Sequence, residues 1–345
     1  MLGVKAARPV FLTFFSIASL VSIAPSVGCG SSSPSSMKDQ QGSGGSAPTG
    51  AGGAVSTGAG GAGGAAPGGD TLCGNVTLSS TQTVAAGQTL TICAGTTVTA
   101  ADGVSLTIDG TLQIQGTAGS PVKLVGATNA AGAWTGLVLN AGAQVTATYV
   151  EIHDADTAIA ARPGSTYSFD HLVIDTSSAL LVLSSDGTIA HGTLRGLGDS
   201  QSDSPVLINN ASPQITNTSV TQGLYNGVDM IVIGGSASAP LFDHVEVADS
   251  HCAFHFNEST GATISNSFIH HNAYGMMTFE SQSGHFNHSN WEDNSINIGT
   301  CDGGISDEVA GNYFAGAPFD GSCTSLTATG SATAPYATSV VGPQP

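Results

Sequence analysis

The chain has 345 residues, only 9% of them charged, and its 24 acidic against six basic residues give a formal net charge of −18. No basic stripe is available to displace phosphate counterions, which argues against nucleic acid as a partner. The same acidity repels polyanionic glycans unless a divalent cation bridges, and it favours solubility of an exported protein.

Residues 1–28 read as a secretory signal. Lys5 and Arg8 give a positive start, and VFLTFFSIASLVSIA (10–24) is an apolar run of 15 residues. A membrane span needs about 20 residues, so the run fits the core of a signal peptide better. It ends at SVGC (26–29), with small residues Ser26 and Gly28 ahead of Cys29. Here the sequence resembles a bacterial lipoprotein precursor, which implies cleavage before Cys29 and a diacylglyceryl thioether on its sulfur. Ser26 stands where that motif usually carries Leu, which leaves plain secretion with an unmodified Cys29 as the other reading. Gly30 follows, where such lipoproteins carry Asp when they stay at the inner membrane, so the resemblance implies the outer membrane.

Residues 29–71 read as a tether. From Gln41 to Gly69 every residue except Gln41 and Val55 is Gly, Ala, Ser, Thr or Pro. Such a stretch buries too little apolar surface to offset its ordering entropy. As a flexible coil of about 40 residues it reaches roughly 30–40 Å. Cleavage leaves four basic residues (Lys38, Lys123, Arg162 and Arg195) against 24 acidic ones, a balance of about −20.

From Thr71 onward the chain is rich in Thr, Val and Gly, with strand-like runs such as SLTIDGTLQIQG (105–116) separated by turn residues. Seven later segments share one register: ATYVEI (147–152), FDHLVI (169–174), IAHGTL (189–194), ITNTSV (215–220), FDHVEV (242–247), ISNSFI (264–269) and FNHSNW (286–291). Their starts are 22, 20, 26, 27, 22 and 22 residues apart. A period of 20–27 residues with near-alternating apolar positions predicts a solenoid of short strands. With ITNTSV, ISNSFI and HHNAYGMMTF (270–279), residues 72–300 resemble the right-handed parallel β-helix proteins, the pectin-lyase-like fold. The expected fold is all-β: a right-handed parallel β-helix of about ten coils, some 50 Å long at about 4.8 Å per rung. Phe254, Phe256, Met276 and Ile298 are expected inside. A β-sandwich would leave the register unexplained. The expected organisation is a signal at 1–28, a tether at 29–71, the β-helix at 72–325 and a C-terminal tail at 326–345.

Cysteine spacing supports export. Cys73 and Cys93 are 20 residues apart, and Cys301 and Cys323 are 22 apart, each about one coil. Both pairs could bond between adjacent rungs near the solenoid ends, as the oxidising exterior permits. Cys252 is left over and is expected to be a small buried apolar residue.

Stacking turns sequence offsets into columns. The third position of each segment gives Tyr149, His171, His191, Asn217, His244, Asn266 and His288. Asn alternates with His there, so the column is expected to be a polar ladder bonding along the stack, rather than a metal or proton relay. Asp249, His271 and Asp293, each 22 apart, form the candidate catalytic column, because a carboxylate beside an imidazole makes a better general base. Glu258, Glu280 and Asp302 form a third column whose carboxylates are expected to splay into water, with no cofactor, the other reading being a calcium ion between them; Asp229 and His255 are a further potential pair. The resemblance implies chemistry only weakly. Pectate lyases of that fold use an Arg or Lys base with calcium-bound uronate, and polygalacturonases use three Asp residues beside Gly-His-Gly. Neither set is found here. Asp249 and Asp293, two rungs apart, fall near the 6.5–9.5 Å separation of inverting hydrolases, a separation that many solenoid carboxylates share. The preferred expectation is a non-catalytic surface lipoprotein, bound to the membrane through Cys29, presenting a rod to a glycan or a surface protein. The other is a polysaccharide lyase or glycoside hydrolase.

Overall fold

The computed structural model describes residues 70–196, 204–222, 228–257, 261–278, 283–299, 307–321, 323 and 326–344. Cys29, Cys301 and the whole Glu258, Glu280 and Asp302 column lie outside the described residues, as do the signal and almost all of the tether. All regular structure among the described residues is β. The expected right-handed parallel β-helix is what the chain forms. One sheet contains ten parallel strands, one from each coil. A second, of 21 strands, supplies the other two walls of each coil as two arms that meet at a corner.

The alternation of apolar and polar residues explains the strands. Thr111–Gln115 (TLQIQ) buries Leu112 and Ile114 and turns its polar residues outward. Strand Gln144–His153 alternates in the same way until Thr148 and Tyr149, both half-buried, after which Val150 and Ile152 again point inward. Tyr149 has φ +47°, and His171 has φ +56° at the same place in Thr166–Asp175. One left-handed residue turns the corner and resets the inward phase.

Inward residues stack like on like. Ile231, Phe254, Met276 and Ile298 follow one another in register, each essentially inaccessible to water. Phe256 is also inside, packed against Phe286. Each such aromatic removed from water contributes roughly 1.5–3 kcal/mol. The first strand begins at Asp70, and the disulfide Cys73–Cys93 forms as its 20-residue spacing suggested. Cys323 is buried and disulfide-bonded.

The segment expected as a C-terminal tail folds back along the solenoid. Ala328–Thr329 pairs with Val309–Ala310. Asn290 then holds the backbone of Tyr336 through two hydrogen bonds of 2.9 Å, and Gly342 N donates to His244 O at 3.0 Å.

Candidate functional site on the outer face of the ten-stranded sheet

The corner columns have a conformational explanation. Thirteen non-glycine residues among those described have positive φ. Seven are Tyr149, His171, His191, Asn217, His244, Asn266 and His288, the entire third-position column. Five more, Asp154, Thr176, Asp249, His271 and Asp293, lie at the next corner, where the second arm turns into the ten-stranded sheet. Asn, Asp and His tolerate the left-handed region better than other side chains. Gly311, the register partner of His288 one coil on, takes φ +65° and confirms that backbone shape is what the position requires.

The polar ladder exists one residue later than expected. Ser267 Oγ accepts from Val245 N, Ser289 Oγ from Ser267 N, and Asn312 Oδ1 from Ser289 N, at 3.0–3.1 Å. At the other corner Asn272 Oδ1 accepts from Ser250 N, and Asn294 Oδ1 from Asn272 N. The left-handed residue swings its own side chain outward, and the following residue points into the corner, where buried amides need an acceptor.

The candidate catalytic column is therefore an exposed corner. His271 Nε2 is 3.8 Å from Asp293 Oδ2, with the two side chains 59% and 70% exposed. His271 Nδ1 also lies 2.6 Å from His270 Nδ1, and His270 Nε2 lies 3.1 Å from Glu246 Oε1. The hydrogen bond from His270 holds the Glu246 carboxyl below the usual range, against the opposing effect of burial, with Ser219 Oγ assisting. Asp249 is exposed and stands outside these contacts.

A second group lies on the other corner. Asp170 Oδ1 is 2.7 Å from His191 Nδ1 and 3.2 Å from His171 Nδ1. The two imidazoles stack at 4.8 Å, and Tyr149 stacks on His171 at 4.1 Å. Burial raises the Asp170 carboxyl, and the two histidines lower it further than burial raises it.

The most enclosed group of titratable side chains described is on the outer face of the ten-stranded sheet. Asp229–Gly234 and Cys252–Phe256 are neighbouring strands there, with Asp229 opposite Cys252 and Val232 opposite His255. Phe254 and Phe256 face the core, so His255 between them faces outward, yet it is only 3% exposed. His255 Nδ1 lies 2.7 Å from Asp229 Oδ2, and His251 Nδ1 lies 3.3 Å from Asp229 Oδ1. Burial raises the Asp229 carboxyl, but the hydrogen bonds from His251 and His255 outweigh it and hold the group well below the carboxylate range. An ionised carboxylate only accepts, so His255 must carry its proton on Nδ1. Cys252 Sγ is 3.6 Å from His251 Nδ1 and 3.2 Å from Met277 Sδ. The expected burial of Cys252 outside the disulfides holds, and only its surroundings differ from the apolar ones expected. The thiol is buried, but among polar and sulfur groups on the outer side.

Sequence reasoning found the Asp229–His255 pair and missed His251, Cys252 and Met277. The signal was HCAFH (251–255), in which polar residues interrupt a strand that is otherwise apolar. The 23-residue step from Asp229 to Cys252 hid their alignment.

Neither a protein-family model nor a curated protein matches the sequence. Among solved structures the chain is similar to a PL6 family alginate lyase, AlyGC, at 14% identity and a TM-score of 0.32, over 67% of this chain and 36% of that one. It is also similar to the A-module of the Azotobacter vinelandii mannuronan C-5 epimerase AlgE6, at 12% identity and a TM-score of 0.32, over 76% of this chain and 89% of that one. The chain thus spans little more than a third of the alginate lyase.

Proposed function

We propose that the protein is an exported lipoprotein, acylated at Cys29 and held at the outer membrane by its Gly/Ala/Ser-rich tether, whose β-helix binds an extracellular ligand without transforming it. A glycan is the first candidate ligand and a surface protein the second. The observation that carries this reading is the backbone of the two histidine- and aspartate-bearing corners. Their side chains are chosen for a left-handed turn, and the column that looked most like an acid–base pair is exposed at a 3.8 Å separation. At that separation the carboxylate does not hydrogen-bond the imidazole and so does not orient it. The disulfide Cys73–Cys93 is in keeping with an oxidising compartment.

A second reading is favoured by one observation. Asp229 is buried against two imidazoles, an arrangement that can position a general base for glycan cleavage. One experiment separates the two. The full chain carrying Cys29→Ala is applied to a glycan array and to a polysaccharide-degradation screen, with calcium and with chelator. Binding without product release supports the binding rod. Product release that disappears in Asp229→Asn replaces it with the enzyme.

A further inference from the structure

Four donors of different chemistry converge on the outer face of the ten-stranded sheet. Asp229 Oδ1 is 3.3 Å from His251 Nδ1, His251 Nδ1 is 3.6 Å from Cys252 Sγ, and Cys252 Sγ is 3.2 Å from Met277 Sδ. One donor atom from each of Asp229, His251 and Cys252 lies within 4.8 Å of the others. Ligands about 2.0–2.1 Å (N, O) and 2.3 Å (S) from a tetrahedral zinc stand about 3.3–3.8 Å apart. The carboxylate–imidazole and imidazole–thiol separations match those edges, whereas the thiol–thioether separation of 3.2 Å is shorter than a sulfur–sulfur edge, so Met277 would have to draw back to coordinate.

We propose that Asp229, His251 and Cys252, with Met277 as a weaker fourth donor, bind one thiophilic metal ion of the Zn2+ or Cu+ class. Thiolate, thioether and imidazole select such ions over calcium and magnesium, which take oxygen donors. The second carboxylate oxygen supports this assignment. His255 Nδ1, 2.7 Å away, orients Asp229, as an outer partner does for a ligating carboxylate. The rungs themselves set the spacing: Asp229 and Cys252 are register partners on adjacent parallel strands, so two ligands come from a rigid scaffold. Binding requires the thiolate and an unprotonated His251 Nδ1, so it releases protons and weakens as pH falls.

The competing group at Asp170, His171 and His191 is poorer for the same ion. Its imidazoles are stacked, 25° from parallel and 4.8 Å apart, so their in-plane lone pairs run side by side instead of converging. Asp170 is also 44% exposed.

The site is independent of whether the outer surface binds or cleaves a glycan, and it is tested by a separate measurement. The full chain is stripped with chelator, dialysed against Zn2+ and, under reducing conditions, against Cu+, and its metal content is measured. About one equivalent is expected. Cys252→Ser and His251→Ala should each lower affinity at least about 100-fold, and His255→Gln about 10-fold, in line with outer-shell losses. His191→Ala, in the competing group, should leave it unchanged. Cobalt-substituted protein should show a thiolate-to-metal charge-transfer band, which reports Cys252 ligation even if its variants fail to fold. Absence of stoichiometric binding, binding that survives Cys252→Ser, or a cobalt spectrum without that band would overturn the proposal.

Discussion

The two corners of the β-helix and the outer face of its ten-stranded sheet carry the same residue types for different reasons. At the corners His, Asn and Asp recur once per coil because the chain must pass through a left-handed conformation. Apart from the buried Asp154, their imidazoles and carboxylates are half-buried or exposed, and glycine can take the place, as it does at Gly311. On the sheet, Asp229, Cys252 and His255 stand in otherwise apolar strands, and His251 immediately precedes one of them. All four of these side chains are at least 86% buried. Recurrence therefore marks a backbone requirement, and a burial that costs desolvation marks a chemical one.

The largest expected effects test that difference directly. Asp229→Ala removes the nearly buried carboxylate that two imidazoles contact, and should cost about 3–5 kcal/mol in urea unfolding. A loss below about 1 kcal/mol would mean that the sheet cluster is no more demanding than the corners. Asn272→Ala should cost about 3 kcal/mol, since its side chain accepts from Ser250 and donates to His270 O and Asn294 Oδ1 within a closed corner. That outcome would assign the stability of the corner to the ladder residue and not to its left-handed neighbour.

Stability as a function of pH sharpens the contrast through two carboxylates of opposite sign. The Asp229 carboxyl titrates lower in the fold than in the unfolded chain, so its contribution is complete above about pH 4 and is lost as pH falls below that. Asp307 is the reverse. Burial raises it to about 6 although Gly284 N donates to Oδ1 at 2.6 Å, and its Oδ2 has no hydrogen-bond partner. Its contribution is present below the unfolded value of about 4 and is lost as pH rises through about 6. Asp307→Asn should therefore gain roughly 1–3 kcal/mol at pH 7 and flatten the profile between pH 4 and 6. An unchanged profile would refute the burial argument for that group.

The smallest effects belong to the corner. His271→Gly and His271→Asn should stay within about 0.5 kcal/mol of the parent, whereas His271→Val should cost about 1–2 kcal/mol because a β-branched residue resists φ +54° without polar anchors such as the Asp154 and Asp175 carboxylates that hold Thr176 there. Equal damage from Asn and Val would restore a chemical role to His271 and reopen the Asp249–His271–Asp293 column.

The coil register, the inward Phe254, Phe256, Met276 and Ile298, and the Cys73–Cys93 disulfide were legible from spacing alone. Each depends only on which residues share an offset of about one coil. The corner columns were equally visible as columns, but their meaning was not, because a recurring His or Asp looks the same whether it supplies a base or a left-handed φ. The ladder residues Ser267, Ser289 and Asn312 lay one position beyond the column that drew attention. Sequence by itself determined the architecture, since strand period and coil length follow from local alternation and a repeated offset. Only the tertiary structure decided which polar residues are enclosed together. The coil steps leading into Asp229 and on to Cys252 differ from the common 22, and burial on the outer face depends on what covers it, which no single repeat encodes.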